Sequence, residues 1–150
     1  MSDDPKLDDF LCFAVYSASH AFNRVYKPLL DRLGLTYPQY LVMVLLWQED
    51  GRTVGDLGNR LFLESNTLTP LLKRLEAAGF VRRERDAADE RQVRVRLTEQ
   101  GRALHGQARA VPPCILAASG LDRETAVRMR AEIEALRDAL AEFHPPAGAP

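Results

Sequence analysis

Between Phe80 and Thr98 the sequence FVRRERDAADERQVRVRLT changes period. Val93, Val95 and Leu97 alternate with Arg94 and Arg96, the two-residue repeat of a strand with one buried face, and the polar run DAADER supplies the turn from a preceding strand. The segments on either side repeat at three and four residues, as helices do. One basic hairpin set among helices makes the chain mainly α with a small β-hairpin.

The helices can be read from the same periodicity. Leu11, Ala14, Val15, Ala18, Phe22, Val25 and Leu29 predict a long helix over residues 7–33, closed by Gly34. Pro28 lies inside it, and a proline that lacks a donor and crowds the preceding turn is expected to kink or break it near Tyr26. Thr36 starts a second helix that opens at Tyr37 or Pro38 and runs through Gln48 to the polar EDGR. TVGDLGNRLFL places Thr53 three residues before Asp56, an approximate capping box, and is expected to bury Val54, Leu57 and Leu61. ESNTLTPLLKRLEAAGF sets Leu68, Leu71, Leu72 and Leu75 on one face and stops at Gly79. Pro70 belongs in a first turn, which predicts a cap at Asn66 or later. After the hairpin the chain returns to helix from Thr98, bends at Pro112 and Pro113, and ends in an amphipathic helix reaching about Phe143.

Helix, turn, helix and basic hairpin in that order is the plan of a winged helix-turn-helix. The expected organisation is one domain over residues 1–150, with the winged unit at 53–97 and a flexible tail at 144–150. The long helices at 7–34 and 98–143 need somewhere to bury their apolar faces, and a two-fold homodimer provides it.

Composition narrows the function classes. The longest apolar stretch, YLVMVLLW, is too short to span a bilayer, and MSDDPKLDDF is not a signal peptide, so no membrane partner and a cytoplasmic location are expected. The two cysteines and the scattered His20, His105 and His144 have no paired ligand spacing, so neither a metal site nor a cofactor is expected. Residues 60–109 hold 11 Lys and Arg against 7 Asp and Glu, leaving 9 against 14 elsewhere, so the basic part coincides with the winged unit. A solvated charged face explains a surplus of that size as readily as a nucleic-acid surface does.

Position favours the nucleic acid. A helix whose first turn carries Ser65, Asn66, Thr67 and Thr69, with Pro70 following and Lys73 and Arg74 one to two turns on, offers hydroxyls, an amide, free backbone donors and cations to base edges and phosphates in the major groove of double-stranded DNA. At the hairpin, Asp89, Arg91 and Arg94 are the candidate minor-groove set, Asp89 serving to orient Arg91.

Cys12, among Phe10, Leu11, Phe13 and Ala14, reads either as a small buried hydrophobe or as a reactive thiol. Hydrogen bonds to the thiolate would favour the second reading. Tyr16 lies one turn away on the same face, whereas Tyr26, Tyr37 and Tyr40 reach Cys12 only through tertiary or dimer packing. The hydroxyls of Tyr37 and Tyr40 either mark the wet edge of an apolar helix or serve a group supplied from elsewhere.

The strings LCFAVYSAS, YKPLLDRLGLTYPQYLVMVLLW, TLTPLLKRLEAAGFV and DERQVRVRLTEQG, in that order, resemble the MarR family of winged-helix regulators, and in particular its organic hydroperoxide sensor branch. The similarity runs from about Leu7 to Gly106. It implies a dimeric repressor of operator DNA whose reactive cysteine matches Cys12, with the thiolate held by hydroxyls matching Tyr26 and Tyr37 of the other subunit. Tyr40 is left as a packing residue. The resemblance also implies oxidation of Cys12 by an organic hydroperoxide and release of DNA; Cys114, three residues before the position of the branch's second cysteine and so on the same helical face, is expected to form a disulfide with Cys12 of the other subunit, the alternative being a structural cysteine. Two positions depart from the branch: its second cysteine corresponds to Ala117 rather than Cys114, and Asn66 stands where glycine is usual. The expectation is a regulator and not an enzyme. Its rivals are a winged-helix repressor released by a small aromatic ligand, a thiol peroxidase acting through Cys12, and a protein-interaction module.

Overall fold

The computed structural model describes residues 4–145. Of the proposed tail, residues 146–150 lie outside the described residues. The order of elements is α1 (Leu11–Asp31), α2 (Tyr37–Gln48), α3 (Val54–Leu61), α4 (Ser65–Ala77), β1 (Val81–Arg85), β2 (Val93–Leu97), α5 (Glu99–Ala108), α6 (Val111–Ser119) and α7 (Arg123–Glu142). Contacts divide the chain into two compact units, residues 1–111 and 112–150.

The first unit is built around α2. Thr36 caps it in a reciprocal box, its N–H donating to Gln39 Oε1 at 2.9 Å and its Oγ1 accepting from Gln39 N at 3.4 Å. Tyr40, Val42, Met43, Leu45 and Leu46 are all buried. A helix apolar on nearly every side belongs in the middle of a core.

Two expectations about α1 and α4 need correction. The segment before α1 is a separate 3-10 turn, Leu7–Asp9, divided from the helix by extended Phe10. Pro28 does not break α1, which continues to Asp31. The carbonyl deprived of a donor belongs to exposed Arg24, where water can replace the lost bond. Similarly, α4 begins at Ser65 with Glu64 as its cap residue, not at Asn66 or later, so Pro70 stands in the second turn. Its ring and the Asn66 residue it deprives of a bond are both exposed, which makes the position tolerable.

Thr53 caps α3 by accepting from Asp56 N at 3.1 Å. Leu57 is fully buried, while Val54 and Leu61 are only half-buried. The hairpin pairs Val81 with Leu97 and Arg85 with Val93 in antiparallel register. The loop after α2 extends this ribbon: Thr53 forms a bridge with Arg94, and Val95 N donates to Arg52 O at 2.9 Å. Thr98 closes the ribbon onto α5, donating to Gly79 O at 2.6 Å and accepting from Gly101 N at 3.0 Å. A Cβ at Gly101 would stand 2.1 Å from Phe80 O, so only glycine permits this approach.

The second unit contains α7 and all but the first residue of α6. Asp122 caps α7 by accepting from Thr125 N at 2.7 Å. Along α7, Val127, Met129, Ile133 and Leu140 are exposed, as is Phe143 just beyond it.

Candidate nucleic-acid interface and thiol site

Glu64, the cap residue of α4, makes no side-chain bond to the helix, so the first N–H groups of α4 remain available to an anion. Ser65, Asn66, Thr67, Pro70, Lys73 and Arg74 are exposed and Thr69 is half-buried. A groove of about 410 Å³ runs between this helix, the start of α3 and the hairpin. It brings together Ser65, Thr69 and Arg91, all expected, with Thr53, Gly55, Arg83 and Gln92, which the sequence had not marked as site residues. Thr53 was legible only as a helix cap, and nothing in the pattern distinguished Gln92.

The wing arginines have separate jobs. Arg91 is almost wholly exposed and is oriented by Asp89, whose Oδ1 accepts from the backbone N and Nε of Arg91, both at 3.1 Å. Asp89 is held below the usual carboxylate range, first by the side-chain bond from Arg91 and then by its backbone bond. Arg94 is occupied within the protein, with Nε donating to Asp86 at 2.5 Å and Nη1 to Gly51 O at 2.7 Å. It braces the wing against the loop after α2 and does not extend from the tip with Arg91. Asp86 is likewise held low, chiefly by the Ala88 N–H and then by Arg94. Glu76 ties α4 to β1 by accepting from Arg83 N at 2.7 Å. These bonds fasten both strands, so the hairpin is carried rigidly by the helices.

Cys12 is exposed in the first turn of α1, not buried as a small hydrophobe. Tyr16 is exposed one turn later, its ring edge-on to His20 at 4.4 Å between centroids. Tyr26 and Tyr37 are brought together, with centroids 4.7 Å apart, and line a groove of about 250 Å³ with Asn23, Lys27, Leu30 and Leu35. Burial, then the neighbouring Tyr37 and Tyr40, pushes Tyr26 up to about 12, and burial raises Tyr37. Both phenols therefore keep their protons and remain hydrogen-bond donors.

The aromatic packing continues beyond this pair. Tyr26 also meets Tyr40 at 6.0 Å, and Tyr40 meets Trp47 at 6.4 Å. Trp47 stacks on His105 at 5.0 Å and donates Nε1–H to Gly101 O at 2.9 Å. Tyr40, buried among these rings, is a packing residue.

Cys12 does not join the tyrosine pair within one chain. Fourteen residues of continuous helix separate it from Tyr26, a rise of about 21 Å. Cys114 is exposed on α6, in the second unit. Among the described residues no group of three or more His, Cys, Asp or Glu is placed to hold a metal, and no helix is long and apolar enough to cross a membrane.

Comparison with known proteins agrees with the winged architecture. A family described as the transcriptional regulator SarA/Rot matches residues 24–107. The HTH-type transcriptional regulator TtmR of Methylorubrum extorquens is 50% identical over 147 residues, covering 97% of this chain and 74% of that protein. The organic hydroperoxide resistance transcriptional regulator of Bacillus subtilis is 42% identical over 138 residues, covering 92% and 94%. Among solved structures, reduced AbfR bound to DNA superposes with a TM-score of 0.74 at 40% identity, covering 91% of this chain and 95% of that one. AbfR with its disulfide formed gives 0.60 at 40% identity, covering 90% of each.

Proposed function

Because the chain belongs to the MarR family of winged-helix transcriptional regulators, of SarA/Rot type, we propose that it is a dimeric repressor that releases operator DNA when an organic hydroperoxide oxidises Cys12. The observation that carries this reading is the separation of Cys12 from the phenol pair. An exposed thiol lies about 21 Å along one helix from two protonated, half-buried phenols, so only a second copy of the chain brings them together. Exposed apolar side chains on α1, among them Leu11, Val15, Phe22 and Val25, provide the surface for that copy.

In the proposed dimer, Tyr26 and Tyr37 of one subunit donate to the thiolate of the other and so favour its ionised form. The thiolate attacks the terminal oxygen of ROOH, the O–O bond breaks, and Cys12 becomes a sulfenic acid while the alkoxide leaves as ROH after taking a proton. Cys114 of the partner subunit then attacks the sulfenic sulfur, forming the disulfide and releasing water. The organic hydroperoxide regulator of B. subtilis and the disulfide form of AbfR support this assignment by similarity. Regulation, rather than turnover, is the proposed role, since the relatives compared above are regulators and DNA-bound AbfR shares the fold.

The α4 helices of such a dimer would enter successive major grooves roughly 34 Å apart. A disulfide that draws the N-terminal helices toward the second units would alter that spacing.

The test is operator binding before and after stoichiometric cumene hydroperoxide, with Cys12→Ser and Cys114→Ser beside the parent protein. The parent is expected to lose binding and to run as a linked dimer on a non-reducing gel. Cys12→Ser keeps binding DNA, and Cys114→Ser forms no linked dimer. Undiminished binding by oxidised parent protein would sink the sensor reading while leaving the DNA-binding regulator in place. Release of DNA by a small aromatic acid, with Cys12 still reduced, would point instead to a ligand-gated repressor.

A further inference from the structure

Six arginines stand on the hairpin between Val81 and Leu97, and five of them have a carboxylate partner. Arg83 pairs with Glu76 of α4 at 3.3 Å, Arg91 with Asp89 at 3.1 Å and Arg94 with Asp86 at 2.5 Å. Glu84 takes both Arg96 and, at 3.9 Å, Arg82. The side chain of Arg85 alone makes no hydrogen bond or ion pair among the described residues.

An exposed arginine without a partner is ordinary by itself, since water serves it, so the face on which it stands decides its meaning. Side chains alternate along a strand, which puts Arg83 and Arg85 on one face of β1 and Arg82 and Glu84 on the other. The register pairs Arg85 with Val93, and residues directly opposite in an antiparallel pair point to the same side. Arg83 and Val93 both line the groove of about 410 Å³ that they share with Ser65 and Thr69 of α4. Arg85 therefore stands on the groove side of the ribbon, at the last paired position before the turn that carries Arg91.

A phosphate strand must cross at that position. In B-DNA the major groove is divided from the flanking minor groove by a sugar–phosphate strand, so a protein with a helix in the first and a hairpin tip in the second straddles it. Between α4 and Arg91, the groove side of β1 offers two cations. Arg83 is already neutralised by Glu76, whereas Arg85 brings an uncommitted planar fork of donors, the shape that fits a phosphate. The backbone beneath it is fixed: Asp86 N donates to Gln92 O at 2.9 Å, and Arg94 links the Asp86 carboxylate to Gly51 O.

We propose that Arg85 is the phosphate anchor of the wing, its guanidinium pairing with the strand that borders the groove entered by α4 while Arg91 reaches past it into the minor groove. Arg94, expected from the sequence to share the wing's contact, is held by Asp86 and leaves that role to Arg85. This rests on DNA binding by the winged unit and is independent of the thiol switch.

The experiment compares Arg85→Gln, Arg85→Lys and Arg82→Gln with the parent protein. Binding is followed by fluorescence anisotropy, across a KCl series, on a duplex from upstream of the protein's own gene and on an unrelated duplex of equal length. Thermal melting is followed without DNA. Arg85→Gln is expected to melt with the parent and to bind both duplexes roughly tenfold more weakly at about 0.1 M salt. Its salt slope falls by about two, one for each subunit of the proposed dimer. Arg85→Lys keeps the parental slope, because an ammonium still neutralises a phosphate. Arg82→Gln keeps it too, since it removes the same charge from the face turned away. Failure of the parent to bind either duplex would overturn the DNA-binding reading and the anchor with it. A parental slope in Arg85→Gln would overturn the anchor alone, as would an equal loss in Arg82→Gln, where only the total charge of the wing is felt. A loss confined to the upstream duplex and shared by Arg85→Lys would make Arg85 a reader of bases, and a lower melting temperature would make it a structural residue; either result overturns the phosphate assignment.

Discussion

Tyr26 is the residue whose titration differs most usefully between folded and unfolded chains. Its ordinary value of 10.0 is raised to about 12 by burial and by its phenolic neighbours. Between those values the folded chain holds a proton that the unfolded chain has lost, so stability falls as pH rises from about 10 through about 12 and is unaffected below. A phenolate absorbance titration of the folded protein is expected to show a late step that Tyr26→Phe lacks. Tyr37 has the role proposed above at the thiol. In the proposed dimer, Tyr37→Phe removes one hydrogen-bond donor from the Cys12 thiolate and is expected to slow its oxidation by cumene hydroperoxide roughly tenfold. Thiol titre against time measures it, and an unchanged rate would remove Tyr37 from the sensor. At the wing, Asp86 shows the opposite sign. Its carboxylate lies below the ordinary 3.8, held first by the Ala88 N–H, so its stabilising contribution is present above that value and lost as pH falls through the lowered one. The Ala88 amide resonance should titrate with a midpoint under 3.8.

At the scale of elements, legibility followed the locality of the cause. Thr36, Pro38 and Gln39 define the start of α2 through contacts three residues apart, and the sequence alone placed that start. The alternation of Val93, Val95 and Leu97 likewise identified β2. Pro70 misled because a proline rule speaks for an average helix interior, whereas this one is on an exposed face where water can serve the bereft carbonyl. Pro70→Ala would therefore restore a helical bond from residue 70 to Asn66 and stabilise the protein by roughly 2 kcal/mol, the helix gain less the lost stiffness of the unfolded chain. Denaturant unfolding checks this, and a destabilised variant would show that the ring itself is needed. The tyrosine pair was legible only as a resemblance, since nothing local joins residues 26 and 37. The groove residues Arg83 and Gln92 were not legible at all. They reach α4 through the hairpin's register and its attachment by Glu76, both products of tertiary structure.

For the whole molecule, the apolar side chains of α1 and α7 are the largest feature one chain leaves unresolved. Met129, Ile133, Leu140 and Phe143 recur at three-, four- and seven-residue intervals along one exposed stripe. Ile133→Asp is expected to shift the protein from dimer to monomer in sedimentation velocity and to abolish tight operator binding, since a single α4 would then engage one groove. A dimer that survives Ile133→Asp together with Met129→Asp would remove α7 from the interface. The aromatic packing in the first unit has an optical consequence. Trp47 is the chain's sole indole, and it touches Tyr40 of α2, His105 of α5 and the Gly101 carbonyl at once. Its emission, fed by light absorbed at the nearby tyrosines, is a native gauge of the junction through which α2 and α5 hold the wing. A change of brightness or colour on oxidation would time the arrival of the signal there, without any label attached.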